Sequence, residues 1–455
     1  MNFLATRFRA LLCVLLICHG AAAAEPASYR TGKPDPRIAG VPAEIRQTIF
    51  TQPDATVEPL VRWLARDVKD DFLKVKILHD WVADNIDYDA ESFLAGGSPE
   101  SSWQATLTRR KAFCQGYAEL LQKMCQIAGV SCEVISGYGR GFGFPIGQAE
   151  NVRQSNHAWN AVKIQEHWYL VDACWDAGHV EGRSYRRQYG TPYLFAEPRH
   201  FLHTHFPREA KWQLLDPPLS AEEFAALPLL EGRFFESGLR LTTPLRRLHP
   251  VGESVQFSLA APEGVLLIAS LAEPGKSESE KGDSEKRAPN RFEGRTLVRR
   301  GRNEINVLVT FPAAGRWGVR LFTKSRQDQG TYWQAGTLEF EAAAGTPWTF
   351  AQSYSSVEGI DSFLESPLYV PLATGTLKPD AQARNVEFKI RVRNAQRVQL
   401  CVGQQKWIPM PRASDDPELY QVTASVPADA SVKIVALPPR GGNSYWTLVD
   451  FAPRK

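Results

Sequence analysis

Apolar residues recur every three or four positions over much of the stretch between residues 57 and 129. This is the spacing of an amphipathic helix, so it predicts two helices between Val57 and Ile86 and a third that follows Cys114. We expect the third helix to stop at Gly129, because glycine readily adopts the backbone conformation that ends a helix. The chain is therefore expected to begin its first domain with a layer of helices.

Short strand-like segments come next, at residues 131–138, 157–164 and 168–175. A tight turn at Gln165 and Glu166 would join the last two as an antiparallel hairpin. The first two are separated by the glycine-rich stretch from Gly139 to Ser155. Loops of that length in compact domains are often functional, so we expect this loop to border a binding cleft.

Beyond about residue 230 the helical pattern disappears and apolar and polar positions alternate. The alternating segments are residues 254–259, 264–269, 304–310, 317–322, 385–392, 397–402, 419–426 and 431–437. They predict two antiparallel β-sandwiches, over residues 229–345 and 346–455. The charged, low-complexity segment 274–290 is expected to be a disordered insertion between strands of the first sandwich.

The N-terminus has the features of a secretory signal peptide over residues 1–24. Arg7 and Arg9 precede a short apolar run, and a row of small residues ends at Ala24. The protein is therefore expected to be exported, periplasmic or secreted, with no integral membrane segment after signal removal. The alternative is a membrane anchor, for which the apolar run is short. Residues 25–56, rich in proline, are expected to form an extended lead-in.

Charge and cysteine content limit the classes of partner. The 455 residues include 53 basic and 50 acidic side chains, a formal net charge of +3, which predicts no steering toward nucleic acid. Five cysteines lie outside the signal segment, so at least one thiol of an exported protein would be unpaired. Their spacing matches no zinc motif, and we expect neither a metal nor a cofactor.

Cys114 is the first candidate for chemistry. It stands at the start of the third helix, where backbone amides and the helix dipole favour a negative charge. Arg109, Arg110 and Lys111 precede it, and nearby positive charge also lowers the pKa of a thiol. The alternative is that Cys114 is simply a small buried apolar residue.

His157 and Asp172 strengthen the catalytic interpretation. In the predicted hairpin they would share one face as direct or diagonal neighbours, depending on the register. A thiolate, an imidazole that moves protons and a carboxylate that orients the imidazole are the three parts of a nucleophilic triad. We therefore predict Cys114, His157 and Asp172 as the catalytic residues.

Three segments carry a resemblance to a known family: Cys114–Ala118 (CQGYA), His157–Val162 (HAWNAV) and Trp168–Trp175 (WYLVDACW). In this order they resemble the transglutaminase-like superfamily, and most of all the kyphoscoliosis peptidase family and its bacterial relatives. The resemblance covers about residues 57–228. It implies an α+β papain-like/transglutaminase-like catalytic domain there, followed by two all-β, Ig-like sandwich modules.

The resemblance also implies roles: Cys114 as nucleophile, His157 as acid and base, and Asp172 as the residue that orients His157. The expected function is an exported cysteine-dependent acyl-transfer enzyme, a peptidase or amidase that cleaves peptide or amide bonds through a thioester. True transglutaminases usually have tryptophan where this chain has Gln115, so protein crosslinking is the second alternative. The first alternative is a catalytically idle scaffold that binds protein partners through its β-sandwich modules.

Several details stay open from the sequence. The backbone N–H of Cys114 is a natural oxyanion donor, and Trp103 or Gln104 could add a side-chain donor. The sequence does not decide whether Cys125 and Cys132 form a disulfide.

Two further features near the predicted triad have simple interpretations. Cys174 would share the face of Asp172, which we attribute to packing before redox control. The pair His203 and His205 resembles a metal site only superficially, because alternate strand residues often have this spacing without a metal.

Overall fold

The computed structural model describes residues 25–451, apart from residues 142–143, 145, 147–149, 275–291, 293, 302, 328–331, 348, 354–355, 358–359, 365–383, 404, 428–429 and 440–443. The predicted signal peptide and nearly all of the predicted insertion 274–290 lie outside the described residues. Within the described part, no helix is both long and apolar enough to cross a membrane.

The first domain begins with a helical layer that ends in a long helix. Its elements are α1 (Ala43–Thr48), α2 (Pro53–Leu64), α3 (Asp71–Asn85), β1 (Asp87–Tyr88), α4 (Ala90–Leu94), α5 (Trp103–Arg109), β2 (Lys111–Ala112) and α6 (Cys114–Ile127). The three predicted helices are α2, α3 and α6. Gly129, just beyond α6, has a φ of +78°, the left-handed conformation expected of a residue that ends a helix.

The expectation of an extended lead-in over residues 25–56 is wrong. Short 3-10 helices lie at Pro26–Tyr29 and Ile38–Gly40, and α1 and the start of α2 follow. Proline fits the first turn of a helix, where its missing N–H has no helical partner, and Pro26 and Pro53 both occupy such positions. The prolines therefore mark helix starts and not an extended chain.

A five-stranded antiparallel sheet packs against α6. The following elements are β3 (Ser131–Gly139), β4 (His157–Ile164), β5 (His167–Val171), α7 (Ala173–Ala177), β6 (Gly178–Glu181), β7 (Ser184–Arg187), β8 (Leu194–Ala196), α8 (Pro198–Phe201), β9 (His205–Pro207) and α9 (Ala221–Ala226). The order across the sheet is β8-β5-β4-β3-β9. Apolar residues of α6, such as Leu120 and Leu121, share one buried core with Val162 of β4 and Val171 of β5.

The hairpin of β4 and β5 decides the position of the predicted acid. Gln165 and Glu166 both have positive φ, 50° and 66°, as in the tight turns that favour hairpins. The strand predicted over 168–175 is too long, because β5 ends at Val171 and a short helix follows. Asp172 causes this change, since its side chain accepts hydrogen bonds from the N–H groups of Cys174 and Trp175 and so caps α7.

The first β-sandwich is formed by two sheets. Its elements are β10 (Leu229–Leu230), α10 (Gly232–Glu236), β11 (Arg240–Leu241), β12 (Leu248–Val251), β13 (Ser254–Ala260), β14 (Val265–Ala272), β15 (Thr296–Arg300), β16 (Glu304–Thr310), β17 (Gly315–Ser325) and β18 (Trp333–Ala342). One sheet has the order β10-β18-β17-β14 with β12 also on β18, and the other has the order β11-β13-β16-β15. Inward residues of both sheets, including Phe257 and Phe340, form one core.

The second sandwich has the same kind of architecture. Its strands are β19 (Gln352–Ser353), β20 (Ser356–Val357), β21 (Ile360–Leu364), β22 (Arg384–Arg393), β23 (Arg397–Val402), β24 (Lys406–Pro409), β25 (Leu419–Val426), β26 (Val432–Leu437) and β27 (Trp446–Asp450). They form sheets of order β19-β27-β26-β23-β24 and β20-β21-β22-β25. The predicted fold class, an α+β domain followed by two all-β sandwiches, is confirmed.

Candidate active site

Cys114 is the first residue of α6, and Phe113 is the residue that precedes the helix. The helix begins unusually close to the chain before it. At Gly116 an added Cβ would lie 2.4 Å from the Thr106 hydroxyl oxygen and 2.7 Å from the Ala112 Cβ. Glycine at this position therefore lets the first turn of α6 pack tightly against α5 and β2, and it fixes where the Cys114 sulfur lies.

His157, the first residue of β4, contacts the Cys114 sulfur. A hydrogen bond joins the Cys114 thiol to the imidazole, and the backbone N–H of Ala158 donates a second bond to the sulfur. Burial by itself raises the pKa of the Cys114 thiol, but the His157 charge and these hydrogen bonds outweigh it and hold the pKa below its ordinary value. Such a lowered pKa is the property of a reactive cysteine.

Asp172 holds the other side of the imidazole. The Nε2 atom of His157 lies 2.6 Å from Oδ2 of Asp172, which leaves Nδ1 as the nitrogen that faces Cys114. Burial lowers the pKa of His157, but the charges of Asp172 and Cys114 reverse this and raise the pKa to about 10. The structure thus brings together all three predicted residues as a hydrogen-bonded series of thiol, imidazole and carboxylate.

The register of the hairpin of β4 and β5 shows whether Asp172 lies directly opposite His157 or diagonal to it, which the sequence left open. Asn160 pairs with Val171 across the hairpin and Ile164 pairs with His167. In this register Asp172 is diagonal to His157 and not directly opposite it. The diagonal arrangement keeps both side chains on one face within reach of each other.

His205 is a functional candidate that the sequence analysis missed. It is fully buried at the start of β9, and its Nε2 atom lies 3.1 Å from the same Oδ2 of Asp172 that His157 contacts. Burial lowers the pKa of His205 to about 4, so the ring is neutral and donates from Nε2 to the carboxylate. Its Nδ1 atom then accepts from the Thr204 hydroxyl, 2.8 Å away.

Asp172 therefore has every lone pair directed to a donor. Oδ1 accepts from the N–H groups of Cys174 and Trp175, at 2.9 and 3.0 Å, and Oδ2 accepts from two imidazoles. Burial raises the pKa of a carboxyl, but His157 and His205 outweigh it and hold the pKa of Asp172 well below its usual range. The acid is ionised and cannot rotate without breaking several bonds.

The donor atoms of His157, Asp172 and His205 all lie within 4.8 Å of one another, so this is also the group among the described residues with metal-ligand spacing. Both imidazoles direct Nε2 at one carboxylate oxygen at hydrogen-bonding distances. A metal would have to replace both of these bonds. The arrangement therefore fits a hydrogen-bonded catalytic group.

Two expectations about the surroundings of Cys114 are not supported. Arg109 pairs with Asp89 at 2.6 Å and the Arg110 guanidinium lies 4.2 Å above the Phe50 ring, so both arginines are engaged elsewhere, and the thiol pKa is lowered by His157 instead. The side chain of Gln104 donates to Asp54 at 3.2 Å. The Gln104 amide is therefore engaged with Asp54 in this structure.

Trp103 remains a candidate for the additional oxyanion donor. It packs beneath Lys123, whose ammonium lies 5.4 Å from the ring centroid, and Lys123 is nine residues after Cys114 on the same helix. The backbone N–H of Cys114 remains the donor that the helix start provides.

The remaining cysteines are all buried in the described structure, and all are free thiols. Cys125 and Cys132 form a side-chain hydrogen bond with each other and are not joined as a disulfide. Cys174 lies in α7, where burial raises the pKa of its thiol well above the ordinary value, with further contributions from Asp172 and Cys114. Among the five cysteines of the described residues, Cys114 is half-buried and its thiol pKa is lowered, whereas the other four are buried.

A second buried polar cluster, formed by His79, Asp80 and Asp176, connects α7 to α3. The Nδ1 and Nε2 atoms of His79 in α3 each lie 3.0 Å from a carboxylate oxygen, of Asp80 and of Asp176 respectively. Asp176 also accepts from the N–H of Tyr193 at 3.2 Å. The cluster ties α7, whose first turn is capped by Asp172, to the long helix α3.

The loop between β3 and β4 is anchored to the first sandwich. The guanidinium of Arg140 donates twice to Glu150, at 2.8 Å each, and Arg247 of the sandwich binds the same carboxylate. Arg247 also contacts Glu339 of β18 at 3.3 Å. The base of the loop touches the site, since a Cβ at Gly141 would lie 2.9 Å from Trp175, whose ring packs 5.1 Å from His157. 

Comparison with known proteins agrees with this geometry. A family model described as the transglutaminase-like superfamily matches residues 59–173, which contain all three triad residues. A second one, described as a KY-like, immunoglobulin-like domain, matches residues 221–343. It begins at α9, slightly before the boundary at 229 that the sequence predicted.

Curated relatives match the first domain. The chain is 33% identical over 189 residues to the kyphoscoliosis peptidase of Mus musculus, covering 41% of this chain and 28% of that protein. It is 32% identical over 192 residues to the protein of the same name from Homo sapiens, covering 41% and 29%. Hillarin of Drosophila melanogaster is 28% identical over 208 residues, covering 42% and 25%. The chain thus spans less than a third of the length of these relatives.

Proposed function

Since this chain belongs to the transglutaminase-like superfamily through residues 59–173, we propose that it is a cysteine-dependent acyl-transfer enzyme that hydrolyses peptide or amide bonds. The observation that supports this most is the continuous contact from the Cys114 sulfur through His157 to Asp172, with the thiol pKa lowered and the imidazole pKa raised. Both shifts favour the thiolate and imidazolium forms of the pair over the thiol and neutral imidazole.

The proposed reaction has two halves. The Cys114 thiolate attacks the substrate carbonyl carbon, and the negative charge that develops on the oxygen is stabilised by the N–H of Cys114 at the start of α6. His157 then gives the Nδ1 proton to the leaving amine, and an acyl-thioester remains. In the second half His157 removes a proton from water and becomes the imidazolium, the hydroxide attacks the thioester carbonyl, and collapse of the adduct releases the carboxylic acid and the Cys114 thiolate. Asp172 keeps the ring in the required orientation in both halves.

Hydrolysis is favoured over transamidation by the residue after the nucleophile. The side chain of Gln115 lies along α6, where it donates to Glu119 at 3.0 Å. We propose that peptides or proteins are the substrates and that water is the usual acceptor. Transamidation predicts instead that an added primary amine is incorporated into the acyl product.

The test is covalent labelling with iodoacetamide at pH 7, followed by mass spectrometry of the modified peptide. Cys114 is expected to react much faster than a free thiol such as that of glutathione, and His157→Ala is expected to slow it strongly. Cys401→Ala is the matched control, because it removes a buried free thiol from the second sandwich, away from the triad in the fold, and should leave the rate unchanged. If Cys114 reacts no faster than glutathione, or if His157→Ala leaves its rate unaltered, a binding scaffold is the better interpretation.

We also propose that the protein is exported to the periplasm or secreted, on the basis of residues 1–24. In a host that produces the full chain, the mature protein should appear in the periplasmic or culture fraction and begin at Glu25. A full-length product that still begins at Met1 in the cytosol would contradict this proposal.

A further inference from the structure

Three aromatic rings form a cluster directly beside the nucleophile. The ring centroids of Tyr88 and Phe113 lie 5.8 Å apart in a stacked arrangement. Phe93 packs edge-on against both, at 5.8 Å from Tyr88 and 6.0 Å from Phe113. We call Tyr88, Phe93 and Phe113 the aromatic cluster.

Local backbone pairing holds the aromatic cluster in place. Strands β1 and β2 are parallel, with Tyr88 opposite Ala112, so the Tyr88 ring lies next to the residue that follows Ala112, which is Phe113. Asp89 then caps α4, which carries Phe93, by accepting from the N–H of Ser92. The Asp89 carboxylate is itself bound by Arg109 at 2.6 Å. The cluster is therefore built on fixed elements.

The cluster is continuous with the catalytic centre. Phe113 is joined by one peptide bond to Cys114, the nucleophile. Tyr88 is within electrostatic reach of the sulfur, because the charges of Cys174 and Cys114 add to the effect of burial in raising the pKa of the phenol. A peptide whose carbonyl carbon reaches Cys114 therefore brings its neighbouring side chains next to these rings.

Phe93 gives the cluster an accessible apolar surface. It is 42% exposed, and the other large apolar side chains of comparable exposure among the described residues are Trp407 and Trp446, at 48% and 41%. Both of these belong to the second sandwich, far along the chain from the catalytic domain. An exposed ring that is fixed by two neighbours and adjoins a nucleophile has the character of a binding site and not of a randomly exposed residue.

We propose that the aromatic cluster is a substrate subsite that binds an aromatic or large aliphatic side chain of the peptide, close to the bond that Cys114 attacks. This inference rests on the proposed acyl-transfer function and adds to it the class of substrate: peptides with a bulky apolar residue beside the scissile bond. Offset and edge-on packing of a substrate ring on Phe93 and Tyr88 would supply the preference.

The test uses three chloromethyl ketones that alkylate the nucleophile: acetyl-Gly-Phe, acetyl-Phe-Gly and acetyl-Gly-Gly. Second-order rate constants for Cys114 are divided by those for glutathione, so that only binding to the protein distinguishes the probes. For the wild type, the better of the two phenylalanine probes is expected to react at least about tenfold faster than acetyl-Gly-Gly, equivalent to about 1.4 kcal/mol of side-chain binding.

The variants Phe93→Ser and Phe93→Leu test whether the Phe93 ring causes the preference for the phenylalanine probe. Serine is expected to reduce the preference to about twofold, and leucine, which stays apolar, is expected to keep most of it. Trp407→Ser is the matched control, because it removes a ring of similar exposure from the second sandwich and should leave the preference at the wild-type value. Melting temperatures of all variants check that they are folded.

The two proposals fail separately in this experiment. A preference below about twofold in the wild type, or one that Phe93→Ser leaves unchanged, overturns the subsite while the iodoacetamide rate still reports on the nucleophile. A slow iodoacetamide reaction contradicts the enzymatic function, but the ratio of probe rates still measures whether the aromatic cluster binds an apolar side chain.

Discussion

Removing the carboxylate of Glu150 tests whether the loop between β3 and β4 is fixed by the first sandwich. The Glu150 side chain is 2% exposed and is shared by Arg140, which is fully buried, and Arg247, which is 11% exposed. Deleting one partner of a buried ion pair costs about 3–5 kcal/mol, because a charge is left without compensation. Arg140 keeps hydrogen bonds to the carbonyls of His203, Leu227 and Phe224, so we expect the lower end, about 3 kcal/mol, for Glu150→Ala.

Differential scanning calorimetry is the appropriate assay, because a chain with several domains is not expected to unfold in a single two-state step. A loss of about 3 kcal/mol corresponds to a decrease of roughly 6–12 °C in the transition of the affected domains. The control is Glu181→Ala, which removes a pair with Arg186 whose side chains are 44% and 66% exposed, and which should cost at most about 1 kcal/mol. If Glu150→Ala lowers the melting temperature no more than Glu181→Ala does, the loop is not held by this network.

Three further outcomes follow from the buried histidines and the nucleophile. His205→Gln should keep a donor near Asp172 and retain most of the iodoacetamide rate of Cys114. His205→Ala should lower that rate severalfold and shift its pH profile upward, because the carboxylate loses one of its two imidazole partners. Equal effects of both variants would contradict a positioning role. The midpoint of the pH profile of Cys114 alkylation in the wild type should lie below the ordinary thiol pKa of 9.0, and in His157→Ala it should move upward, which a pH titration of the rate measures. Burial lowers the pKa of His79, but Asp176 and Asp80 outweigh it and raise the pKa from 6.5 to about 9, so the stabilising contribution of the imidazolium is complete below pH 6.5 and is lost as the pH rises through about 9. Burial also raises the pKa of Asp176 from 3.8 to about 7, so ionisation of this carboxyl lowers stability as the pH rises toward 7. Calorimetry of the wild type should show both losses, and His79→Gln should remove the one between pH 6.5 and about 9.

The regular elements of the catalytic domain could be predicted because their patterns are local. The strand at residues 157–164 has the predicted bounds, and α6 begins at Cys114 and is followed by Gly129 in the left-handed conformation. The predictions were wrong at residues whose type occurs in more than one kind of secondary structure. Prolines at 26 and 53 occupy first turns of helices, and Asp172 ends a strand because its carboxylate caps the next helix.

The contact between His205 and Asp172 could not be predicted from the sequence. It reaches Asp172 through the pairing of β9 with β3, and no local period or spacing connects residues that are 33 positions apart. The nearest signal was the spacing of His203 and His205, which would place both on one face of a strand, but the strand begins only at His205 and His203 lies in the turn before it. His203 bonds to the carbonyl of Pro228, whereas His205 faces the acid.

The chemistry of Cys114 combines both kinds of information. Its position at a helix start and the hairpin that joins His157 to Asp172 are local features, since only 15 residues separate the imidazole and the carboxylate. The pKa of the thiol is a tertiary property, because burial opposes ionisation and only the contact with His157 reverses the direction. The two adjacent arginines that suggested the same direction are engaged elsewhere, Arg109 with Asp89 and Arg110 with the Phe50 ring. A motif can therefore identify the reacting groups, while the protonation state that makes them reactive depends on which side chains the fold places around them.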